Sequence, residues 1–369
     1  MTWDVVVVGA GPAGVAAALA ARRARPDAHV LLLDAHGFPR DKVCGDGIAP
    51  HALDVLAGLG VDPSYLVAGT APVTTLRLRS PGGAEAVRRM RRSAYVVPRE
   101  VFDARLVDAA VAAGVVLRRQ RVRSVREDVD GVLVDDVQAR AVVGADGAES
   151  VVRRCVGAGP ARAGTVAVAV AVRGYAPADH AGEQLLTMTK GNWPAYAWVF
   201  SIGDGRANVG YGELVTGSPP TRAHLEARLR ELLPGARPVA LRGHRLPLSP
   251  GRPDVAHGRV LLAGDAASLI NPITGEGIYY AVLSGSLAGA AAVLARPDVA
   301  YRRALRAELS GHLRHTDVLA RLCRATRVVD AGVRAARESP RTFDALVELG
   351  LGSGRLDART AASVLRWFR

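Results

Sequence analysis

Six residues near the start of the chain, Gly9-Ala10-Gly11-Pro12-Ala13-Gly14, constrain the fold more than any others. They follow a Val-rich apolar run, Thr2 to Val8, of the kind that forms a buried parallel strand. An Ala-rich helical stretch, Val15 to Arg25, comes directly after them. Strand, glycine turn and helix in that order turn a weak glycine pattern into a specific one. Gly9 permits the tight turn, Gly11 lets the backbone approach a pyrophosphate, and Gly14 lets helix and strand pack closely. Pro12 and Ala13 belong to the same phosphate-facing turn, where a helix start offers unpaired N–H groups and a positive dipole end. A second apolar run, Val30 to Leu33, ends in Asp34. A carboxylate there, about 20 residues beyond the glycines, suits the ribose hydroxyls of a dinucleotide. The pattern predicts a dinucleotide site rather than an ordinary βαβ unit.

With 369 residues the chain exceeds the usual single-domain size, so two domains or one elaborated domain are expected. The formal net charge is +13, and Lys42 and Lys190 are its only lysines. The arginines are scattered and accompany no helix-turn-helix, zinc-finger or RNA-binding pattern, so no nucleic-acid partner is expected. A solvated basic surface and an anionic partner (lipid headgroup, diphosphate substrate or acidic carrier protein) both remain open. Cys44, Cys155 and Cys323 have no metal-ligand spacing, and their separation fits a reduced, cytoplasmic setting. The N-terminus runs straight into the first strand, which leaves no room for a signal peptide. Gly277 to Ala295 is free of charge over 19 residues, long enough to raise the question of a membrane span. Its glycines and serines, and its place after a glycine motif, read instead as a buried helix.

The rest of the chain divides by composition. Gly37 to Gly47 is a glycine-rich loop that contributes Arg40 to the candidate site, and a helical pattern resumes at Ile48 to Leu59. Short β segments at Thr74 to Arg79 and Ala84 to Met90 flank the turn Ser80-Pro81-Gly82-Gly83. Tyr95 to Pro98 is extended, and Glu100 to Ala113 is helical. Val115 to Arg119, Val122 to Glu127 and Gly131 to Val137 read as a small meander. Gly164 to Val172, Glu183 to Met188, Ala195 to Ile202 and Arg206 to Glu213 read as an antiparallel sheet, followed by an amphipathic helix at Arg222 to Leu233. Val260 to Ala263 returns the chain to the parallel sheet. Arg-rich helices follow from Tyr301, with a flexible joint at Gly350 to Gly354.

The expected fold class is therefore α/β. A Rossmann-like cofactor domain spans residues 1–72, 95–160 and 255–296, and an inserted antiparallel substrate domain spans 73–94 and 161–254. A helical C-terminal region covers 297–369.

Two later motifs share the character of the first. Gly144-Ala145-Asp146-Gly147 and Gly264-Asp265-Ala266-Ala267, the latter leading to Pro272-Ile273-Thr274-Gly275-Glu276-Gly277, each end an apolar strand. Open α/β sheets place ligands at such strand ends. Asp146, Gly147, Gly264, Asp265, Pro272, Gly275, Gly277 and Ile278 thereby join the candidate cofactor set. Asp265 is positioned to accept from a ribityl hydroxyl. The helix after Gly277 would bring its dipole to the edge of a flavin ring.

Together the three patterns resemble the FAD-binding set of the aromatic-hydroxylase type of flavoprotein. Lys42-Val43-Cys44-Gly45-Asp46-Gly47 is similar to the KxCGDG loop of the geranylgeranyl reductase family, and Pro98 to Asp103 resembles that family's arginine-bearing segment. The resemblance implies FAD as cofactor, with Cys44, Gly45, Asp46, Gly47 and Arg99 beside it. Cys44 is the candidate catalytic residue, either shaping the pocket or supplying a proton. Other proton sources are a bound water, Tyr95 and His51.

Tyr196-Ala197-Trp198-Val199-Phe200 resembles the family's YxWxFP strand, with Ser201 in place of the proline. Alternation puts Tyr196, Trp198 and Phe200 on one face as a substrate wall. The implied reaction is hydride transfer from flavin N5 to a carbon–carbon double bond of an apolar, isoprenoid-type substrate. NAD(P)H or another donor would act as transient reductant. The partner is then a small apolar molecule, lipid-borne or carrier-bound, with peripheral membrane contact. An FAD-dependent monooxygenase on the same scaffold is the alternative, and a non-catalytic flavin sensor the more distant one.

Overall fold

Continuous apolar runs form the centre of the fold. In a computed structural model, residues 2–157, 167–178, 182–190, 192, 195–249 and 252–368 are described. The chain begins with β1 (Trp3–Val8), α1 (Pro12–Ala24), β2 (Val30–Asp34) and β3 (Gly47–Ile48), then α2 (Pro50–Gly58) and α3 (Pro63–Val67). The pair β4 (Pro72–Arg79) and β5 (Glu85–Val96) leads to α4 (Arg99–Ala112). Four strands follow: β6 (Val116–Arg119), β7 (Val125–Asp128), β8 (Gly131–Val134) and β9 (Val137–Gly144). After α5 (Val151–Cys155) come β10 (Val168–Pro177), β11 (Glu183–Met188), β12 (Ala195–Ser201) and β13 (Arg206–Leu214). Next are α6 (Arg222–Leu232), β14 (Val239–Pro247), β15 (Ala256–His257) and β16 (Val260–Leu262). The chain ends in helices α7 (Ile278–Ala292), α8 (Pro297–Leu322), α9 (Thr326–Glu338), α10 (Pro340–Leu351) and α11 (Ala358–Leu365).

The first sheet has the order β15-β16-β9-β1-β2-β6, with the β7–β8 hairpin attached to β9. Strands β16, β9, β1, β2 and β6 are parallel neighbours. Val5, Val6, Val7, Leu31, Leu32, Val142 and Val143 are fully buried between the layers, as expected of a parallel sheet covered on both faces. The second sheet, β14-β10-β13-β12-β11-β4-β5-β3, is antiparallel except where β4 meets β11.

The segment Gly277 to Ala295, flagged by its lack of charge, is the buried helix α7. A Cβ at Gly285 would fall 2.1 Å from the Ala13 carbonyl oxygen, and one at Gly289 would fall 1.9 Å from that of Ala17. Glycine at both positions lets α7 lie directly on α1. No helix among the described residues is long and apolar enough to cross a membrane.

Several expectations need correction. Val116–Arg119 is no part of a meander; it pairs with β2 in parallel at the sheet edge, because α4 supplies the crossover that a parallel connection requires. The meander's first strand starts at Val125. The helices expected from Val15 and Ile48 begin at Pro12 and Pro50, where proline's fixed φ suits the first turn. Strand β14 went unread because it is an edge strand whose residues are mostly exposed.

Tyr95 and Val96 extend β5, so the expected boundary between 94 and 95 falls inside one strand. The boundary at 160, and residues 164–166 of the expected strand, lie outside the described residues. Gly350 to Gly354 is no loose joint. The Gly350 carbonyl accepts the Thr274 hydroxyl at 2.7 Å, and the Gly354 carbonyl meets His312 Nδ1 at 2.6 Å. Helices α9 and α10 pack Val333, Ala336 and Phe343 against Val73, Leu76 and Leu78, covering the second sheet.

Candidate active site

All three glycine turns emerge at one edge of the parallel sheet, from the carboxyl ends of the adjacent strands β16, β9 and β1. Gly9 has φ of +100°, and a Cβ there would sit 2.3 Å from the Ala145 carbonyl oxygen, so the first two turns touch. A Cβ on Gly14 would fall 1.7 Å from the Gly9 oxygen. Arg153 ties the second turn to the third, donating to the Ala148 carbonyl at 2.9 Å and to Ser268 Oγ at 3.1 Å. Asp34, at the end of β2, accepts the N–H groups of Ala10 and His36, both at 2.8 Å.

Above the first turn stands a charge cluster. Arg99, on α4, is buried and donates twice to Asp103, at 2.6 and 2.8 Å. Arg40 reaches Asp103 at 3.5 Å and Asp34 at 3.6 Å. Its Nε is buried with no hydrogen-bond partner among the described residues. Both guanidinium groups lie near Gly11, at 3.8 Å (Arg40) and 4.0 Å (Arg99) from where its Cβ would be. Gly11 caps α1 without any side-chain hydrogen bond. An open helix N-terminus beside two arginines and an unpaired guanidinium N–H fits the diphosphate of FAD.

Asp265 stands after the third turn, 3.2 Å from Lys42 Nζ. Burial pushes its carboxyl up, but Lys42, His244 and Arg99 together bring it below the usual carboxylate range. Pro272 is buried in the turn that leads into α7, closed by the Asn271 N–H on the Glu276 carbonyl at 2.8 Å.

Two of the expected cofactor carboxylates have their oxygens engaged by neighbouring protein groups. Asp146 accepts Ser150 Oγ at 2.5 Å and the N–H groups of Val151 and Val152 at 2.7 and 3.2 Å. These contacts cap α5, to which its position shortly before the helix start is suited. Asp46 is fully buried, with Tyr175 Oη at 2.6 Å and Asn208 Nδ2 at 2.8 Å on the same oxygen. It joins the loop to the second sheet.

The start of α7, expected to present its dipole to a ring, has the Glu276 carboxyl on the Tyr279 N–H at 2.8 Å.

A cavity of about 590 Å³ opens between this edge and the second sheet, within the range of small-molecule sites. Its inner end is bordered by Cys44, Gly45, Gly47, Gly275, Gly277 and Ile278. Tyr196, Trp198 and Phe200 all line it from β12, with neighbouring ring centroids 6.0 and 6.2 Å apart. A Cβ on Gly45 would fall 3.2 Å from the Phe200 ring, so the loop rests directly on this ladder. Trp198 Nε1 donates to Asn208 Oδ1 at 2.9 Å, and Asn208 Nδ2 also donates to the Cys44 carbonyl at 2.8 Å. Burial pushes the Cys44 thiol up, against the pull of Arg99. Burial lowers His244, which also faces the cavity. Tyr95 and His51 do not line this cavity.

Lys42, Asp103 and Glu276 lie inside the sequence motifs but were given no role there, and Asn208 and His244 lie outside every motif. Asp103 also has a helical i,i+4 spacing from Arg99.

A parallel sheet with three glycine turns at one edge, joined by an aromatic-walled cavity, defines the flavin-nucleotide class of oxidoreductase. Residues 2–190 match the family model described as FAD binding domain. Over 314 residues the chain is 35% identical to the menaquinone reductase of Mycolicibacterium smegmatis, a span of 77% of this chain and 75% of that protein. Over 316 residues it is 35% identical to digeranylgeranylglycerophospholipid reductase 1 of Methanopyrus kandleri, covering 79% and 81%. A geranylgeranyl bacteriochlorophyll reductase-like protein from Thermoplasma acidophilum superposes with a TM-score of 0.77 at 22% identity, covering 99% of this chain and 95% of that one. The chain belongs to the geranylgeranyl reductase family of FAD-dependent oxidoreductases.

Proposed function

We propose that this protein adds two hydrogens across a carbon–carbon double bond of an apolar, isoprenoid-type substrate. The observation that carries the reading is the cavity. It runs from Cys44 and Gly275 past the aromatic ladder to Leu322, Leu365 and Phe368 in the C-terminal helices. Its length and apolar lining suit a flexible hydrocarbon chain better than a compact polar ring. Relatives named for reducing menaquinone and a digeranylgeranyl lipid support the same substrate class.

When bound, reduced FAD supplies a hydride from N5 to one carbon of the double bond. The protein's residues do the rest. Arg40 and Arg99 would hold the diphosphate with the α1 N-terminus, Asp34 the ribose, and Asp265 with Lys42 the ribityl chain. Gly275, Gly277 and Ile278, which border the cavity's inner end, would let the ring approach the backbone. Tyr196, Trp198 and Phe200 orient the alkene and exclude water. Cys44, its thiol held protonated, forms the chamber wall beside Arg99. NAD(P)H or another two-electron donor would serve as the transient reductant.

Leu322, Leu365 and Phe368 line the cavity and are also exposed, at 53%, 63% and 45%, so they mark its mouth. The exposed Arg324, Arg327 and Arg366 stand beside them in the sequence. An apolar rim with basic neighbours suits an anionic lipid surface from which a chain is drawn in.

Anaerobic reduction followed by addition of a geranylgeranyl-bearing lipid tests the reaction. The expected result is flavin reoxidation without oxygen and a product heavier by two hydrogens per double bond. Reoxidation that requires oxygen and yields a hydroxylated product would establish the monooxygenase instead.

A further inference from the structure

One carboxyl group borders the apolar cavity at its inner end. Glu276 stands in the turn before α7 and faces the space also bordered by Cys44, Tyr196 and Trp198. Its carboxyl accepts the Tyr279 N–H at 2.8 Å, and no cation pairs with it among the described residues. His51, on α2, is the basic group that faces it, and His51 Nε2 is engaged by Glu348 of α10 at 2.9 Å. The other titratable neighbours are Tyr196 of β12, Tyr279 and Tyr280 of α7, and Cys44 of the loop. All four are neutral at pH 7, since burial raises each of them. The Tyr196 hydroxyl is already committed to the Thr274 carbonyl. Burial pushes the Glu276 carboxyl up to about 7, where a group both holds a proton and releases it readily. Cys44 holds its proton more tightly.

We propose that Glu276 is the acid that protonates the second carbon of the double bond. The inference rests on the reduction reading above. The Oε–H bond of Glu276 breaks as the new C–H bond forms, and its electron pair stays on the carboxylate. With the hydride from FAD, itself reloaded by a donor of the nicotinamide class, the alkene gains two hydrogens and two electrons. Glu276 regains its proton from water once the product has left. Above pH 7 the resting carboxyl is ionised, so the rate falls as pH rises.

The test uses the FAD-loaded enzyme carrying Glu276→Gln, which keeps the acceptor for Tyr279 and the side-chain volume. FAD content is expected to stay at the wild-type level. Anaerobic flavin reoxidation by a geranylgeranyl-bearing lipid is expected to slow by about 10²–10⁴-fold, the usual contribution of a positioned acid. A second readout needs no turnover: the visible spectrum of the bound, oxidised flavin followed against pH. The wild type is expected to show a midpoint near 7, which Glu276→Gln abolishes and Cys44→Ala retains.

Glu276→Asp guards against a packing effect. It keeps an acid one methylene shorter, and is expected to retain the midpoint and part of the rate. The inference is overturned if Glu276→Gln stays within about threefold of wild type or keeps the midpoint. It is equally overturned if Glu276→Asp loses as much as Glu276→Gln. A wild-type enzyme that reoxidises only with oxygen overturns the reduction reading and this inference together. An intact wild-type reaction with an unaffected Glu276→Gln overturns this inference alone.

Discussion

Replacing Asp46 separates a packing role from an ionic one at the join between the two sheets. One oxygen of this fully buried carboxyl takes Tyr175 Oη at 2.6 Å and Asn208 Nδ2 at 2.8 Å. The other oxygen is buried with no partner among the described residues. Burial raises the carboxyl above its ordinary range, and the unpartnered oxygen is the natural seat of the proton.

Asp46→Ala leaves two buried donors unsatisfied, at about 1–3 kcal/mol each. Because the side chain also gives up the cost of its own burial, the net loss is expected at about 2–4 kcal/mol. Asp46→Asn keeps the accepting oxygen and places its amide where nothing bonds in either case, so it is expected to cost less than about 1 kcal/mol. The pH dependence follows the same logic. A carboxyl whose pKa is higher folded than unfolded binds more protons in the native state. Stability is then greatest below the unfolded value, and falls as pH rises through the folded one. Urea unfolding of the FAD-loaded protein at several pH values measures both effects, and Asp46→Asn is expected to flatten this fall. If Asp46→Ala unfolds within about 0.5 kcal/mol of wild type, or Asp46→Asn is as damaging as Asp46→Ala, the network does not join the sheets as described.

Asp103→Ala strands the buried Arg99 guanidinium without its bidentate partner. The expected loss is about 3–5 kcal/mol by chemical denaturation, with weaker retention of FAD on dilution. Gly332, in α9, lines the cavity with open space around its Cβ position. Gly332→Ala is expected to raise stability by about 0.5–1 kcal/mol through the lower entropy of the unfolded chain. Gly332→Leu is expected to raise KM for long-chain alkenes at least several-fold more than for short ones, as steady-state kinetics with a chain-length series would read. Leu365→Asp with Phe368→Asp is expected to abolish flotation with anionic phospholipid vesicles while FAD content is unchanged. Neutral vesicles should bind the wild type poorly, with binding falling as salt rises.

The parallel sheet was legible because nothing in it competes with its signal. Val5 to Val8 and Leu31 to Leu33 are buried on both faces, so the apolar runs are unbroken, and the glycine turns follow them at once. Period-2 spacing put Tyr196, Trp198 and Phe200 on one face, and the resemblance to the reductase family marked that face as a cavity wall. Strand β14 was not, because an edge strand with exposed arginines lacks the alternation that marks a half-buried one. Carboxylates beside glycine turns were ambiguous for a different reason. Asp34, Asp46, Asp146 and Asp265 look alike in sequence, yet the structure uses Asp146 as a helix cap and Asp46 as a bridge between sheets. Asp146 had a local clue in Ser150, itself a cap for the helix that follows. Glu276 had none. Its burial is created by β12, α2 and α10, elements distant in sequence, and no local pattern encodes that.

The hexapeptide from Lys42 to Gly47 owes its composition to several independent demands, which is why so short a segment pointed to a family. Lys42 is fixed by Asp265 across the cofactor edge. Cys44 borders the cavity while its carbonyl takes Asn208. Gly45 lies so close to Phe200 that a Cβ there would press on the ring at 3.2 Å. Asp46 closes on Tyr175, and Gly47 pairs with Val96 as part of β3. Each contact reaches a different element, so together they set the distance between the glycine turns and the aromatic ladder. Hydride transfer requires the reacting atoms at near van der Waals separation. In this fold that spacing is set by the loop, which couples the geometry of the cofactor edge to that of the substrate wall.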